Sequence, residues 1–149
     1  MTASKALRAL REAIVLELLD SENEQEFDTA VGAFDHPRCE VVSTGQVFEG
    51  REEVAGYYAR VLRAVPDRRS TLVALHHADD AAIAELEVAG TYLGGLGGGE
   101  PAGRPFRVRT TAFFLFDGAR LVGQRLYGEH GCAPDDSTTG TAAEPALTS

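Results

Sequence analysis

Phe106–Glu129 reads FRVRTTAFFLFDGARLVGQRLYGE, and its composition alone marks a β-hairpin. Asp117-Gly118 is a strong turn signal, because glycine accepts the positive φ that tight turns need. The flanking runs are rich in Val, Thr, Phe, Tyr and Leu, the residues that fill strands. A three-residue loop, Asp117-Gly118-Ala119, sets Phe116 opposite Arg120. One face then carries Arg107, Arg109, Thr111, Phe113 and Leu115 against Leu121, Gly123, Arg125, Tyr127 and Glu129. The other carries Val108, Ala112, Phe114 and Phe116 against Val122, Gln124, Leu126 and Gly128. A two-residue loop would slip the strands relative to each other. Arginines, a tyrosine and a carboxylate beside Phe113 and Leu115 suggest a pocket wall. The face of Phe114, Val122 and Leu126 is then the outward one, and a second subunit is its simplest cover.

The rest of the chain bounds what this hairpin can belong to. It has 149 residues and 44% hydrophobic content, which fits one domain with a real core. A formal charge of −9 disfavours nucleic-acid binding. No apolar run approaches the roughly 20 residues of a membrane span. The N-terminal stretch MTASKALRALREAIVLELLD has charges inside its apolar pattern, unlike a signal peptide. The two cysteines, Cys39 and Cys132, form no CxxC pair and read as thiols of a cytoplasmic protein.

Upstream, Leu7, Leu10, Ile14 and Leu18 recur at helical spacing, with Ser4 as the start signal. Asp28 is placed to cap a short helix, Thr29 to Phe34, that buries Val31 and Phe34. Asp35-His36-Pro37 ends it. Cys39 to Ser43 and Gln46 to Phe48 read as paired strands across Thr44-Gly45. A helix from about Arg51 to Val65 carries Glu52 and Glu53 at the positive end of its dipole, and Pro66 stops it. Arg69 to His76 and Ala82 to Tyr92 read as strands. In the second, Ala84, Leu86, Val88, Gly90 and Tyr92 form an apolar face, with Glu85, Glu87 and Thr91 opposite. GGLGGGEPAG, residues 94–103, is a loop that serves either as a lid or as a plain connection. Residues 1–131 make the domain. Residues 132–149, small, polar and Pro-containing, are expected to be disordered. Helices first and antiparallel strands last is an α+β layout.

Three stretches together resemble the SnoaL-like family. HPRCEVVSTGQVFEGREEVAGYYARVLRAVPD is similar to its middle segment, AELEVAGTYLG to its Gly-Thr strand, and FFLFDGARLVGQRLYGE to its closing hairpin. The resemblance runs from about Ala6 to Glu129. It implies the cone-shaped fold shared with nuclear transport factor 2, ketosteroid isomerases and polyketide cyclases: a curved, mixed, mostly antiparallel sheet wrapped around N-terminal helices, with an apolar cavity and usually a homodimer. Glu129 falls where the family commonly places an Asp acid/base, and Tyr92 where cyclases often have His. Related epoxide hydrolases place Arg and Asp at positions matching Leu86 and Val88. Both are apolar here, so epoxide hydrolysis is not implied.

The chemistry these residues suggest is proton transfer without a cofactor or metal. A carboxylate in an apolar cavity has a raised pKa and moves protons near neutral pH. Glu129 is the candidate base, with Tyr92, Tyr127 or Arg109 as donor to an enolate. The alternative is that Glu129 pairs with Arg107 or Arg125. Phe34, Tyr58, Leu86, Val88, Phe113 and Tyr127 are candidate contacts to a small apolar carbonyl compound such as a polyketide. Either Tyr57 or Tyr58 faces the cavity, or both pack as core. His76 and His77 are strand neighbours on opposite faces and cannot easily chelate together. Two functions fit this pattern: a cyclase or isomerase, and a non-catalytic ligand-binding or dimerisation module.

Overall fold

The structure, a computed structural model, describes residues 3–93 and 103–128. Its elements are α1 Lys5–Asn23, α2 Phe27–Gly32, β1 Arg38–Val41, β2 Gln46–Glu49, α3 Gly50–Ala64, β3 Arg69–His77, β4 Ala81–Tyr92, β5 Arg104–Asp117 and β6 Arg120–Tyr127. The strands form one open sheet in the order β2-β1-β6-β5-β4-β3. β1 runs parallel to β6, and every other neighbouring pair is antiparallel. This is the mixed, mostly antiparallel α+β architecture that the resemblance implies. Residues 94–102 of the glycine-rich loop, Glu129, and the tail 132–149 lie outside the described residues.

The core forms on one face of the sheet. Ala82, Ala84, Leu86 and Val88 of β4 join Ala112, Phe114 and Phe116 of β5 and Leu126 of β6, all nearly inaccessible. Val15, Leu18 and Leu19 of α1 and Val54, Tyr57, Tyr58 and Val61 of α3 pack onto them. Cys39 and Val41 of β1 complete the same cluster.

The hairpin corrects the sequence reading twice. Asp117 pairs with Arg120, so the loop has two residues, Gly118 and Ala119. Gly118 takes φ 62°, the positive value that a II′ turn needs at its first central position. Phe116 pairs with Leu121, but Leu115 pairs with Gly123, so Val122 is the extra residue of a bulge. Beyond the bulge, Phe113 faces Arg125 rather than Gly123.

The second correction is the direction of the faces. Phe114 and Leu126, expected outside, are in the core, while Arg107, Arg109 and Tyr127 are exposed. Burying the guanidinium groups of Arg107, Arg109 and Arg125 would cost far more than burying phenylalanine repays, so the arginine-bearing face turns to water. A dimer through Phe114 and Leu126 is thereby ruled out, because α1 and α3 already cover that face.

Helix α1 begins as expected, with Ser4 Oγ accepting a bond from Leu7 N at 3.1 Å. Its buried stripe is shifted, however. Arg11, Val15, Leu18 and Leu19 are buried, and Leu10 is 47% exposed. Helix α2 starts at Phe27 rather than Thr29, and its cap, Glu26, makes no side-chain bond. Val31 and Phe34 are nonetheless buried as expected.

Arg11 explains why the stripe is shifted. It is 2% exposed, and its Nε donates to the Gly118 carbonyl at 3.0 Å while Nη1 donates to the Asp79 carbonyl at 2.9 Å. Its guanidinium sits 5.2 Å from the centre of the Phe116 ring. One side chain thus ties α1 to the turns after β3 and after β5. We expect Arg11→Ala to lower unfolding free energy in urea by about 2–3 kcal/mol, from two charge-assisted bonds and the packing of the stem. A loss below about 0.5 kcal/mol, the range of ordinary surface changes, would show that the turns hold without it.

Candidate functional site

A pocket opens between the C-terminal half of α1, α3 and the inner face of the sheet. Leu19, Phe27, Tyr57, Tyr58, Val61, Leu62 and Val65 form one wall, and Leu86, Ala112, Phe114 and Leu126 the other. Its polar groups are Glu22, Gln25, Arg68 and Gln124. The free volume inside is about 40 Å³.

Tyr58 and Glu22 meet in this apolar setting. The Tyr58 hydroxyl donates to Glu22 Oε2 at 2.5 Å. Gln124, 3% exposed, lines the pocket beside them. The Tyr58 ring stacks on Phe27 with centres 5.0 Å apart and planes 5° from parallel, which fixes the direction of its hydroxyl. Burial, and then the neighbouring Glu22 carboxylate, push the phenol well above its usual range, so it remains a donor. Burial also raises the Glu22 carboxyl above its ordinary 4.5, with the Arg68 charge and the Tyr58 bond pulling the other way. The pair is a carboxylate of increased basicity beside a permanent hydrogen-bond donor.

The surrounding chain holds this geometry. Asn23, next to Glu22, clasps both backbone groups of Ser70: Nδ2 donates to Ser70 O at 2.9 Å, and Ser70 N donates to Oδ1 at 2.9 Å. The connection from α3 to β3, which carries Arg68, is pressed against β4. A Cβ on Gly90 would lie 2.4 Å from Val65 Cγ1 and 3.2 Å from Arg68 Cα, so only glycine permits that approach. Asp67 accepts from Thr91 N at 2.8 Å and Thr91 Oγ1 at 2.9 Å, and these bonds hold its carboxyl below the ordinary range.

Of the residues nominated from sequence, Tyr58 and Leu86 line the pocket. Val88 is fully buried in the core beside it. Tyr92 is 7% exposed on the inner face of β4, with the Arg104 guanidinium 5.6 Å from its ring centre. Phe34 borders a separate surface hollow with Asp35 and Arg120. Phe113 and Tyr127 pair on the outer face, ring centres 5.4 Å apart, and Arg109 is exposed on that face. Glu129 lies outside the described residues. His76 and His77 do point apart, to Glu85 at 2.7 Å and to Glu12 at 3.9 Å. Among the described residues no His, Cys, Asp or Glu group has metal-holding geometry, and no helix is long and apolar enough to cross a membrane.

Glu22 and Gln124 were missed in the sequence. Glu22 had a readable signal: it continues the spacing Arg11, Val15, Leu18 as the next step of the buried stripe. Gln124 had a weaker one, a polar residue between apolar positions of β6 that faces inward only once the face is known.

An open mixed sheet over a long N-terminal helix, with a polar pair inside an apolar pocket, defines the class of small cone-shaped proteins that includes ketosteroid isomerases. Within that class the chain belongs to the SnoaL-like domain family, whose profile matches residues 15–124. Among solved structures, a polyketide cyclase-like protein of Xanthomonas campestris superimposes with TM-score 0.70 at 18% identity, covering 83% of this chain and 93% of that one. A SnoaL-like polyketide cyclase-type protein of Shewanella putrefaciens gives 0.67 at 10% identity, covering 78% and 88%. A ketosteroid isomerase-like protein of Catenulispora acidiphila, in complex with trimethylamine, gives 0.66 at 19% identity, covering 78% and 85%. At these identities the likeness is one of fold. No curated protein matches the chain in sequence.

The raised Glu22 carboxyl has a consequence for stability. Between the ordinary 4.5 and its higher folded value, the native state binds more protons than the unfolded chain. Stability therefore falls as pH rises through that window. Glu22→Gln should remove this decline and match or exceed wild type above the window. Urea midpoints for both proteins between roughly pH 4 and 8 test this. Parallel curves would mean that Glu22 is well solvated.

Proposed function

We propose that the pocket performs cofactor-independent acid/base chemistry on a small apolar carbonyl compound, with Glu22 as base and Tyr58 as hydrogen-bond donor. The observation that carries this is the 2.5 Å bond between Tyr58 and Glu22 inside apolar walls. A carbonyl oxygen entering the pocket takes the place of Glu22 as acceptor of the Tyr58 proton bond. The Glu22 carboxylate then removes a proton from the adjacent carbon. The electron pair of that C–H bond moves to the carbonyl oxygen, and the resulting enolate is held by Tyr58 and the Gln124 amide. Return of the proton from Glu22 to a different carbon of a conjugated enolate gives isomerisation. Attack of the enolate carbon on a second carbonyl of the same molecule forms a C–C bond, and the new alkoxide takes the proton from Glu22. The second outcome is an aldol cyclisation, in keeping with the polyketide cyclase-like neighbours.

A second reading is a non-catalytic ligand-binding or dimerisation module, and the small free space, about 40 Å³, favours its dimerisation form. That is far below the roughly 300 Å³ or more of sites for drug-sized ligands. Deuterium uptake at the α-carbon of butanone, followed by NMR, separates the two. Wild type should exceed buffer, Glu22→Gln should lose at least about a hundredfold, and Tyr58→Phe a similar order. Glu129→Gln, run alongside, tests the carboxylate that the family pattern nominates. No acceleration over buffer by wild type would leave the non-catalytic module as the reading.

We also propose a homodimer formed by the outer face of β5 and β6. Phe113 and the 37%-exposed Tyr127 form its apolar centre, and the Arg125–Glu40 pair at 3.3 Å forms its rim. Sedimentation at about 10 µM, where weak interfaces dissociate, should show dimer for wild type and monomer for Tyr127→Glu. Monomer for both would remove the proposal. The buried Cys39 thiol suits a reducing, cytoplasmic setting.

A further inference from the structure

The pocket has a strap across its entrance. Among its lining residues Gln25 is the most exposed, with Glu22, Phe27, Leu62 and Arg68 half-buried and the rest buried, so the pocket meets solvent at the end where these five lie. Gln25 Nε2 donates to the Pro66 carbonyl at 2.7 Å, which joins the end of α1 to the end of α3 over the opening. Pro66 lies in the connection fixed by the Gly90 notch and the Asp67–Thr91 bonds. The α1 end is held by the two Asn23–Ser70 bonds and closed by Gln25 N donating to Glu22 O at 3.1 Å and Glu26 N to Ser21 O at 2.8 Å. Gln25 takes φ 63°, the left-handed conformation that this pair of backbone bonds places just past a helix end. Its backbone is therefore set by the helix terminus, and its side chain can leave Pro66 without disturbing that terminus.

We propose that Gln25 is the size-determining residue of the pocket, a strap that limits entry to ligands of a few heavy atoms and must release for ring systems to enter. This rests on the reading of the pocket as a ligand site. It follows from geometry: with the strap bonded, the enclosed space is about 40 Å³, and the sheet and helix walls are close-packed core that cannot recede. Gln25, the most exposed residue at the solvent end, is the one that can move, at the expense of one exposed hydrogen bond.

The test uses Gln25→Asn in the full chain. Asn tolerates the left-handed backbone, so folding is preserved, and it is one methylene too short to reach Pro66. Gln25→Glu is the second variant: it keeps the length but presents an acceptor to a carbonyl. Binding of butanone and of the bicyclic ketone 1-tetralone is measured by protein chemical-shift titration, which requires no turnover. Both variants should bind 1-tetralone at least about fivefold more tightly than wild type, with butanone changed less than about twofold; a fivefold change corresponds to about 1 kcal/mol. Equal changes for the two ketones, or no change, would overturn the strap, as would failure of both variants to bind 1-tetralone. Catalysis is scored separately through Glu22→Gln, so a size shift without turnover upholds the strap while removing the enzyme reading.

Discussion

Everything in this molecule depends on which face of the β4–β6 sheet is dry. Both faces of the hairpin carry aromatic residues, so hydrophobicity alone does not choose between them. The choice is made by charge. Arg107, Arg109 and Arg125 stand on one side, and Phe114, Phe116 and Leu126 on the other. Guanidinium groups stay at the surface unless every donor finds a partner. Once that face is wet, α1 and α3 must cover the opposite one, and the pocket can form only between them and the sheet.

Two inward polar side chains on α1, Arg11 buried and Glu22 half-buried, show how differently such groups are used. Arg11 is satisfied by two turn carbonyls and a ring face, and it acts as a fastener. Glu22 sits three turns further along the same stripe and meets a tyrosine hydroxyl rather than a full set of partners. Its carboxyl is raised mainly by burial, an energetic cost that a purely structural position would not need. Sites that keep such a cost are where function is sought first. The neighbouring Asn23 clasp on Ser70 and the Gly90 notch hold the elements that carry Glu22 and Arg68, so the pair does not depend on a loop for its geometry.

Membership in the SnoaL-like family accounts for the scaffold more than for the chemistry. The solved neighbours share the cone at 10–19% identity and carry different descriptions. A fold of this kind offers a long helix, a curved sheet and a cavity, and reactions are written into it by a few inward side chains. In this chain the inward polar side chains Glu22, Tyr58 and Gln124 come from α1, α3 and β6, and none of the outer arginines lines the pocket.

The sequence by itself determined the elements and their order. Ser4 as a cap, Gly118 in a turn, Pro66 as a helix stop and the Leu86–Val88 apolar face were all legible, because each rests on local backbone preference or on period-two alternation. It also nominated Tyr58 and Leu86 for the pocket. It did not determine the direction of the hairpin, because alternation says only that two sets of residues oppose each other, not which set is inside. The bulge at Val122 was equally hidden, since a one-residue register change leaves no mark on composition. With the faces reversed, Phe113, Tyr127 and Arg109 moved out of the candidate site. Gln124 and Glu22 could enter it only when α1, α3 and β6 were brought together. Glu22 and Tyr58 are 36 residues apart in the chain, and only tertiary packing gives a carboxylate and a phenol at that separation a common desolvated space.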